Sequence, residues 1–316
     1  MISVADGKCF MSLLGNFYGD LRQRFHYFNP VTRIRSRHEV AHVEETIYLV
    51  GLKRSGLHAI ANWLMGTRSD AVLLNNSPMK RLGLTSPMSR TLRRSPLPIY
   101  VHRHYPVVKL DEQGNERPAT IEASQPLVIV IFQSQELQHL RQRPLVQGLE
   151  SRQTSTALLL RDPFNWSASM KAKSRELSDD NNWPKQWREY ALEFTRSTQT
   201  LPDAVRLNYN RWLEDKEYRA ELAGQFGLAE SENNLGVVTR HAGGSSFDGL
   251  DFKDRAMNMN LTSRWQHYRD DNLYLQALEN NRDLVQIGLQ IFELPEDLRA
   301  FALARLATGG SVPKPA

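Results

Sequence analysis

Three groups of residues in this 316-residue chain have types and spacings suited to holding an anion or moving a proton. Gly51-Leu52-Lys53-Arg54-Ser55-Gly56 fits the first half of a phosphate loop, G-x-x-x-x-G. Its glycines let backbone N–H groups turn inward on an anion, and a helix starting behind the second glycine adds the positive end of its dipole. An ordinary strand-to-helix turn would use the same two glycines. The second half of the nucleoside triphosphatase motif is missing, because Leu57 and His58 stand where Lys and Ser/Thr would reach the phosphates and ligate Mg²⁺. Arg54, with Lys53 beside it, instead puts the cation inside the loop. That placement suits a magnesium-free group transfer in which positive charge neutralises a bridging oxygen.

The second group is Arg161-Asp162-Pro163 with Ser169 eight positions after the arginine. A guanidinium can grip a phosphate bidentately, and a hydroxyl from the following helix can add a hydrogen bond. The alternative reading is a strand end followed by a proline in a first helical turn. The third group is His102-Arg103-His104. An imidazole with its ordinary pKa near 6.5 suits a proton acceptor, and side chains two apart share one strand face, so a metal pair is the competing reading. With Cys9 the only cysteine and no third ligand in view, no metal is expected.

The elements that must position these groups follow from periodicity. Thr46 to Val50 is a short β-prone run, and Leu57, Ile60, Ala61 and Leu64 recur at helical spacing, which gives strand, loop, helix across the glycines. Residues 66–126 are irregular, with a possible strand at 98–106. Two further apolar runs, 127–132 and 156–160, predict buried strands, and the second leads through Arg161-Asp162-Pro163-Phe164 into a helix. A helix is expected over 183–198, a strand over 204–209, a helix over 212–226 closed by Gly227, a Gly-rich loop near 241–252, and helices over 271–292 and 296–306. Short buried strands separated by helices imply a parallel sheet in an α/β fold.

Composition bounds the rest. Hydrophobic residues are 41% of the chain and charged residues 24%, which fits a folded globular protein and excludes collagen-like or low-complexity classes. The longest strongly apolar stretch, Leu127 to Phe132, is far short of the ~18 residues of a membrane span. The first twenty residues lack a signal peptide's basic start and long apolar run, so a soluble, cytoplasmic protein is expected. The net charge of +5 and a pI near 9.3 leave two readings, nucleic-acid binder or binder of a small anion. Arg22, Arg24, Arg33, Arg35 and Arg37 concentrate charge in a basic extension over 1–45, expected to be solvated or to touch an acidic partner or membrane surface. No recognisable nucleic-acid motif accompanies them, so no nucleic-acid partner is expected.

The two arginine-bearing segments together resemble the sulfotransferases that use 3′-phosphoadenosine 5′-phosphosulfate. That family's first signature is a strand, a Lys or Arg followed by Ser-Gly, and a helix, as in YLVGLKRSGLHAIANWL at 48–64. Its second ends a strand with Arg-Asp/Asn-Pro and carries a Ser eight residues after the Arg, as in LLLRDPFNWSASMKAK at 158–173. The order of the two segments, and the distance of about a hundred residues between them, match as well.

The resemblance, which runs from about 46 to 292, implies a three-layer P-loop-like α/β fold, a central parallel sheet flanked by helices; the domain is expected over 46–306, and the residues GGSVPKPA read as part of a flexible tail at 307–316. It implies that Lys53, Arg54, Ser55, Gly56, Leu57 and His58 hold the 5′-phosphosulfate and that Arg161 and Ser169 hold the 3′-phosphate. VRLNYNRWLED at 205–215 resembles the family's strand with a Tyr, so Tyr209 would border the adenine; LTSRWQHY at 261–268 resembles its late Arg-plus-Trp segment, so Arg264 would add a phosphate contact. Where the family often has a hydroxyl and then an aromatic after Ser-Gly, Leu57, His58 and Ala59 stand here. SPLPIYVHRHYP at 95–106 resembles the family's base-bearing strand, with His104 at the His, while another branch of the family uses a Glu, for which Glu136 is the alternative. The expected activity is transfer of a sulfuryl group to a hydroxyl or amine acceptor, in line and without metal. A kinase-like phosphotransferase and a non-enzymatic anion-binding or nucleic-acid-binding module are the alternatives.

Overall fold

A strand that is apolar on both faces has to lie inside a sheet covered on both sides, and Leu127 to Phe132, six residues fully buried, form such a strand. In the computed structural model, which describes residues 41–75, 107–111, 114–119, 121, 125–141, 149–174, 183–239, 247 and 259–307, seven strands make one sheet. They are β1 (Ala41–Gly51), β2 (Val72–Leu74), β3 (Val107–Leu110), β4 (Glu116–Pro118), β5 (Leu127–Gln133), β6 (Leu149–Leu160) and β7 (Val205–Asn208). The sheet order is β4-β3-β2-β5-β1-β6-β7. Five of these, β2, β5, β1, β6 and β7, are mutually parallel. The other two form an antiparallel edge hairpin on β2.

Successive side chains of a strand point to opposite faces, and both faces are covered. Ile47, Leu49, Ile129, Ile131 and Leu159 pack on one face in a cluster with Leu57, Ile60 and Trp63 of α1 (Leu57–Met65), Tyr209 and Trp212 of α4 (Tyr209–Glu214) and Leu222 of α5 (Lys216–Gln225). Tyr48, Val50, Val130, Phe132 and Leu158 are buried on the opposite face, the side covered through α2 (Pro163–Ser174) and α3 (Trp183–Phe194). Three more helices, α6 (Asn272–Glu279), α7 (Arg282–Ile291) and α8 (Glu296–Ala307), complete the described residues. The protein is a three-layer α/β fold with a mostly parallel sheet, in keeping with the P-loop-like class expected.

Local boundaries differ from the sequence reading for identifiable reasons. β1 and β6 are longer than their apolar cores because their pairing continues through polar residues, from Ala41 opposite Leu149 to Thr46 opposite Thr154. Backbone pairing alone leaves no hydrophobic signal there. The single helix expected over 212–226 is two, broken at Asp215, whose extended backbone ends α4 while its carboxylate accepts the Tyr218 N–H at 2.9 Å and starts α5. Asn280 and Asn281 also divide the helix expected over 271–292, here without a side-chain cap, since Asn281 Nδ2 donates back to the Ala277 carbonyl at 2.8 Å. The stretch 66–126, read as irregular apart from a possible strand at 98–106, supplies β2 and the β3–β4 hairpin. The expected strand itself lies outside the described residues, as do the basic extension up to residue 40 and the tail from 308. Among the described residues no helix is long and apolar enough to cross a membrane.

The five parallel strands present their carboxyl ends at one edge of the sheet, and β1 lies between β5 on one side and β6 on the other. Ligands of open α/β sheets bind at that edge, where connections diverge from a central strand. The loop after β1 is Gly51 to Gly56, and the residue after β6 is Arg161.

Candidate functional site

The β1–α1 loop holds two residues in the left-handed region, Arg54 (φ 68°) and Gly56 (φ 104°). Such backbone is costly for a side chain and persists only where its surroundings enforce it. A Cβ on Gly56 would lie 2.1 Å from Cε2 of Tyr209, so the glycine lets the aromatic ring lie against the backbone. Ser55 folds its own hydroxyl onto the carbonyl of Leu52 at 2.7 Å, and its N–H donates to the same oxygen at 3.1 Å. That hydroxyl therefore serves the turn. Among the described residues the N–H groups of Gly56 and Leu57, at the start of α1, meet no acceptor, which leaves the orphan donors of a helix start facing out of the loop.

The two cations of the loop differ. Lys53 is exposed, whereas Arg54 is half-buried, and its buried Nε has no hydrogen-bond partner among the described residues. Burial pushes the Arg54 guanidinium below its ordinary pKa, the mark of a cation placed where its charge is poorly solvated.

Beyond β6, Arg161 is 3% exposed and donates through one terminal nitrogen to Ser169 Oγ at 3.2 Å and to the Arg54 carbonyl at 3.3 Å. Its other terminal nitrogen donates to the Leu261 carbonyl. Arg264, 6% exposed, donates to the same Ser169 Oγ at 3.1 Å. Two guanidinium groups thus come within about 6 Å of each other across one hydroxyl, where like charges repel by about 3 kcal/mol at an effective dielectric of about 20. The acceptors that Arg161 meets among the described residues are all neutral. Ser169, at 0% exposure, donates its hydroxyl hydrogen bond to the Asn165 carbonyl at 2.8 Å, so its oxygen is left to accept from the two arginines.

This pair is held by a buried polar network that sequence reasoning did not find. Asp162, fully buried, accepts from the Asn165 N–H at 2.8 Å, from Asn165 Nδ2 at 3.1 Å and from Asn210 Nδ2 at 2.8 Å. Asn165 in turn donates to the Thr262 carbonyl at 2.9 Å and accepts the Trp265 N–H at 3.2 Å. Those two contacts pin the segment that carries Arg264 beside the segment that carries Arg161. Trp187 Nε1 anchors the Arg161 carbonyl at 3.0 Å. Asp162→Ala would leave three buried donors unpaired, each costing about 1–3 kcal/mol. The expected loss is about 4 kcal/mol of unfolding free energy by chemical denaturation, with Asp162→Asn, which keeps one acceptor, losing about half as much.

Tyr209 lies under Gly56 with the Arg161 guanidinium 5.3 Å from its ring centre, and it stacks on Trp212 at 5.8 Å. The loop, Arg161, Ser169, Tyr209 and Arg264 therefore come together at one edge. Leu57 points into the core at 2% exposure. His58 turns to the β2 side, its Nε2 3.0 Å from Oδ1 of the buried Asn75. Glu136 is exposed beyond β5, with Oε2 3.5 Å from Nδ1 of His139. His104 lies outside the described residues. Among the described residues, no group of three or more His, Cys, Asp or Glu could hold a metal.

The network residues could have been sought at the polar positions beside Arg161, since Asp162 and Asn165 flank Pro163 in the sequence. Asn210 carries no such signal, because only the fold brings it 48 positions back to Asp162. No family model matches the chain, and no curated protein matches it. Among solved structures, the chain is similar to the sulfotransferase domain from the Synechococcus PCC 7002 olefin synthase, with 15% sequence identity over 83% of this chain and 98% of that one, at a TM-score of 0.44.

Proposed function

We propose that the chain is a sulfotransferase that moves the sulfuryl group of 3′-phosphoadenosine 5′-phosphosulfate to a hydroxyl or amine acceptor. The observation that carries this reading is the convergence of Arg161 and Arg264 on Ser169 Oγ, beside a glycine-bounded loop whose own Arg54 has no partner on Nε among the described residues. A buried guanidinium such as Arg161, whose acceptors among the described residues are all neutral, is costly until a counter-charge arrives. A phosphate monoester dianion, with three oxygens for guanidinium and hydroxyl donors, is such a counter-charge.

In this reading Arg161, Ser169 and Arg264 take the 3′-phosphate, Tyr209 borders the adenine, and the loop from Lys53 to His58 takes the 5′ end. The acceptor's oxygen or nitrogen forms a bond to sulfur as the bond from sulfur to the bridging phosphate oxygen breaks. The electron pair leaves with adenosine 3′,5′-bisphosphate, and the acceptor's proton passes to a base. Arg54 would neutralise the bridging oxygen as charge develops on it. His104 is proposed as the base by resemblance, with Glu136 as the alternative, and no metal is required.

Adenosine 3′,5′-bisphosphate, the product nucleotide, tests the reading by thermal unfolding. At a hundred times its dissociation constant it should stabilise the protein by about 2.7 kcal/mol, with or without magnesium. Stabilisation by ATP with Mg²⁺ and none by the bisphosphate would replace this reading with that of a phosphotransferase.

A further inference from the structure

The peptide unit at Lys53 is held from two flanking elements at once. Its N–H donates to Oγ of Ser134 at 2.8 Å, at the end of β5, and its carbonyl accepts from Nε1 of Trp166 at 2.8 Å, in the first turn of α2. Ser134 is itself tied to the loop, since its own N–H donates to the Gly51 carbonyl at 2.8 Å, and it holds a left-handed backbone with φ 50°. Left-handed backbone is uncommon for serine. The carbonyl of the next residue, Arg54, accepts from Arg161. Lys53 and Ser134 are 81 positions apart in the chain.

These bonds decide which donors the loop can offer a ligand. The Lys53 N–H is taken by Ser134 and the Ser55 N–H by Leu52, while those of Gly56 and Leu57 meet no acceptor among the described residues. We infer that Ser134 and Trp166 are positioning residues for the 5′ subsite, a clamp that holds the loop in the one arrangement able to take the 5′-group of the nucleotide. The inference rests on the reading given under Proposed function and adds two residues to which nothing in that reading assigns a role. Neither side chain has to touch the nucleotide. Both act through the Lys53 peptide, Ser134 on its N–H and Trp166 on its carbonyl.

Calorimetric titration of the full chain with two probes, adenosine 3′,5′-bisphosphate and adenosine 3′-monophosphate, separates the possibilities. Ser134→Ala should raise the dissociation constant of the bisphosphate about 3- to 10-fold, the weight of one hydrogen bond, and leave that of the 3′-monophosphate unchanged. Ser134→Gly should behave like the alanine variant, although glycine is at ease with φ 50°. Trp166→Phe, which keeps the ring and loses the N–H, should give the same split, and it decides the matter if Ser134→Ala does not fold. Equal weakening of both probes, unchanged affinity for both, or full affinity in Ser134→Gly would each overturn the clamp. If the parent protein binds neither probe, the nucleotide reading itself falls; binding of both probes by the parent, with no split in the variants, removes the clamp alone.

Discussion

Replacing Arg161 with methionine is expected to weaken adenosine 3′,5′-bisphosphate binding by at least 100-fold while changing the stability of the ligand-free protein by less than about 2 kcal/mol. The two effects come from different balances. Without ligand, Arg161 makes hydrogen bonds to Ser169 Oγ and to the carbonyls of Arg54 and Leu261, each worth about 0.5–1.5 kcal/mol net. Against them stand the repulsion from Arg264 and the desolvation of a guanidinium only 3% exposed. Methionine is flexible, apolar and of similar length, so it can fill the space and lift both penalties.

With a phosphate present the balance reverses. A bidentate, charge-assisted contact supplies two bonds of about 1.5–3 kcal/mol each, and every 1.4 kcal/mol is tenfold in affinity. Calorimetric titration and thermal unfolding of the same variant measure the two halves. A loss of less than tenfold in affinity would mean that Arg161 is not a phosphate ligand. A loss of more than about 3 kcal/mol of ligand-free stability would mean that it is chiefly structural.

That division between stability and binding also explains how much of the protein was legible before its coordinates. The parallel sheet could be read because Leu127 to Phe132 and Ala157 to Leu160 are buried on both faces and carry the signal in their composition. The loop and the Arg161–Ser169 pair stand out through their resemblance to two family signatures, since an ordinary strand-to-helix turn uses the same glycines, and the fold brings the two segments into contact through Arg161 and the Arg54 carbonyl. The antiparallel β3–β4 hairpin was hidden, since Glu116-Arg117-Pro118 is polar edge strand with nothing to bury. Ser134 was hidden for another reason: its role depends on the register of β5 beside β1, with Gly51 opposite Gln133, and register is not written in either strand alone. His58 shows the reverse case. Its place in the first turn of α1 suggested a phosphate donor, and the fold adds a contact the sequence did not show, with Asn75 from the end of β2.

Gly56→Ala carries the second large effect, a loss of about 4 kcal/mol of unfolding free energy together with the proposed nucleotide site. Two independent costs add. With φ at 104° the backbone lies where side chains are rarely found, and such strain is worth about 1–3 kcal/mol. The added Cβ would also sit 2.1 Å from Cε2 and 2.6 Å from Cδ2 of Tyr209, far inside contact distance. The ring has little room to withdraw, because it stacks on Trp212, which meets Trp63 of α1 edge-on at 5.9 Å. Overpacking a core of this kind costs about 1–3 kcal/mol. Tyr209→Ala separates the two terms: in that background the clash is gone and only the backbone strain remains, so Gly56→Ala should then cost about 2 kcal/mol less than it does in the parent. A double-mutant cycle by chemical denaturation reads this coupling directly. Strict additivity of the two substitutions would show that the ring yields freely and that the close approach of Tyr209 to Gly56 does not hold the loop.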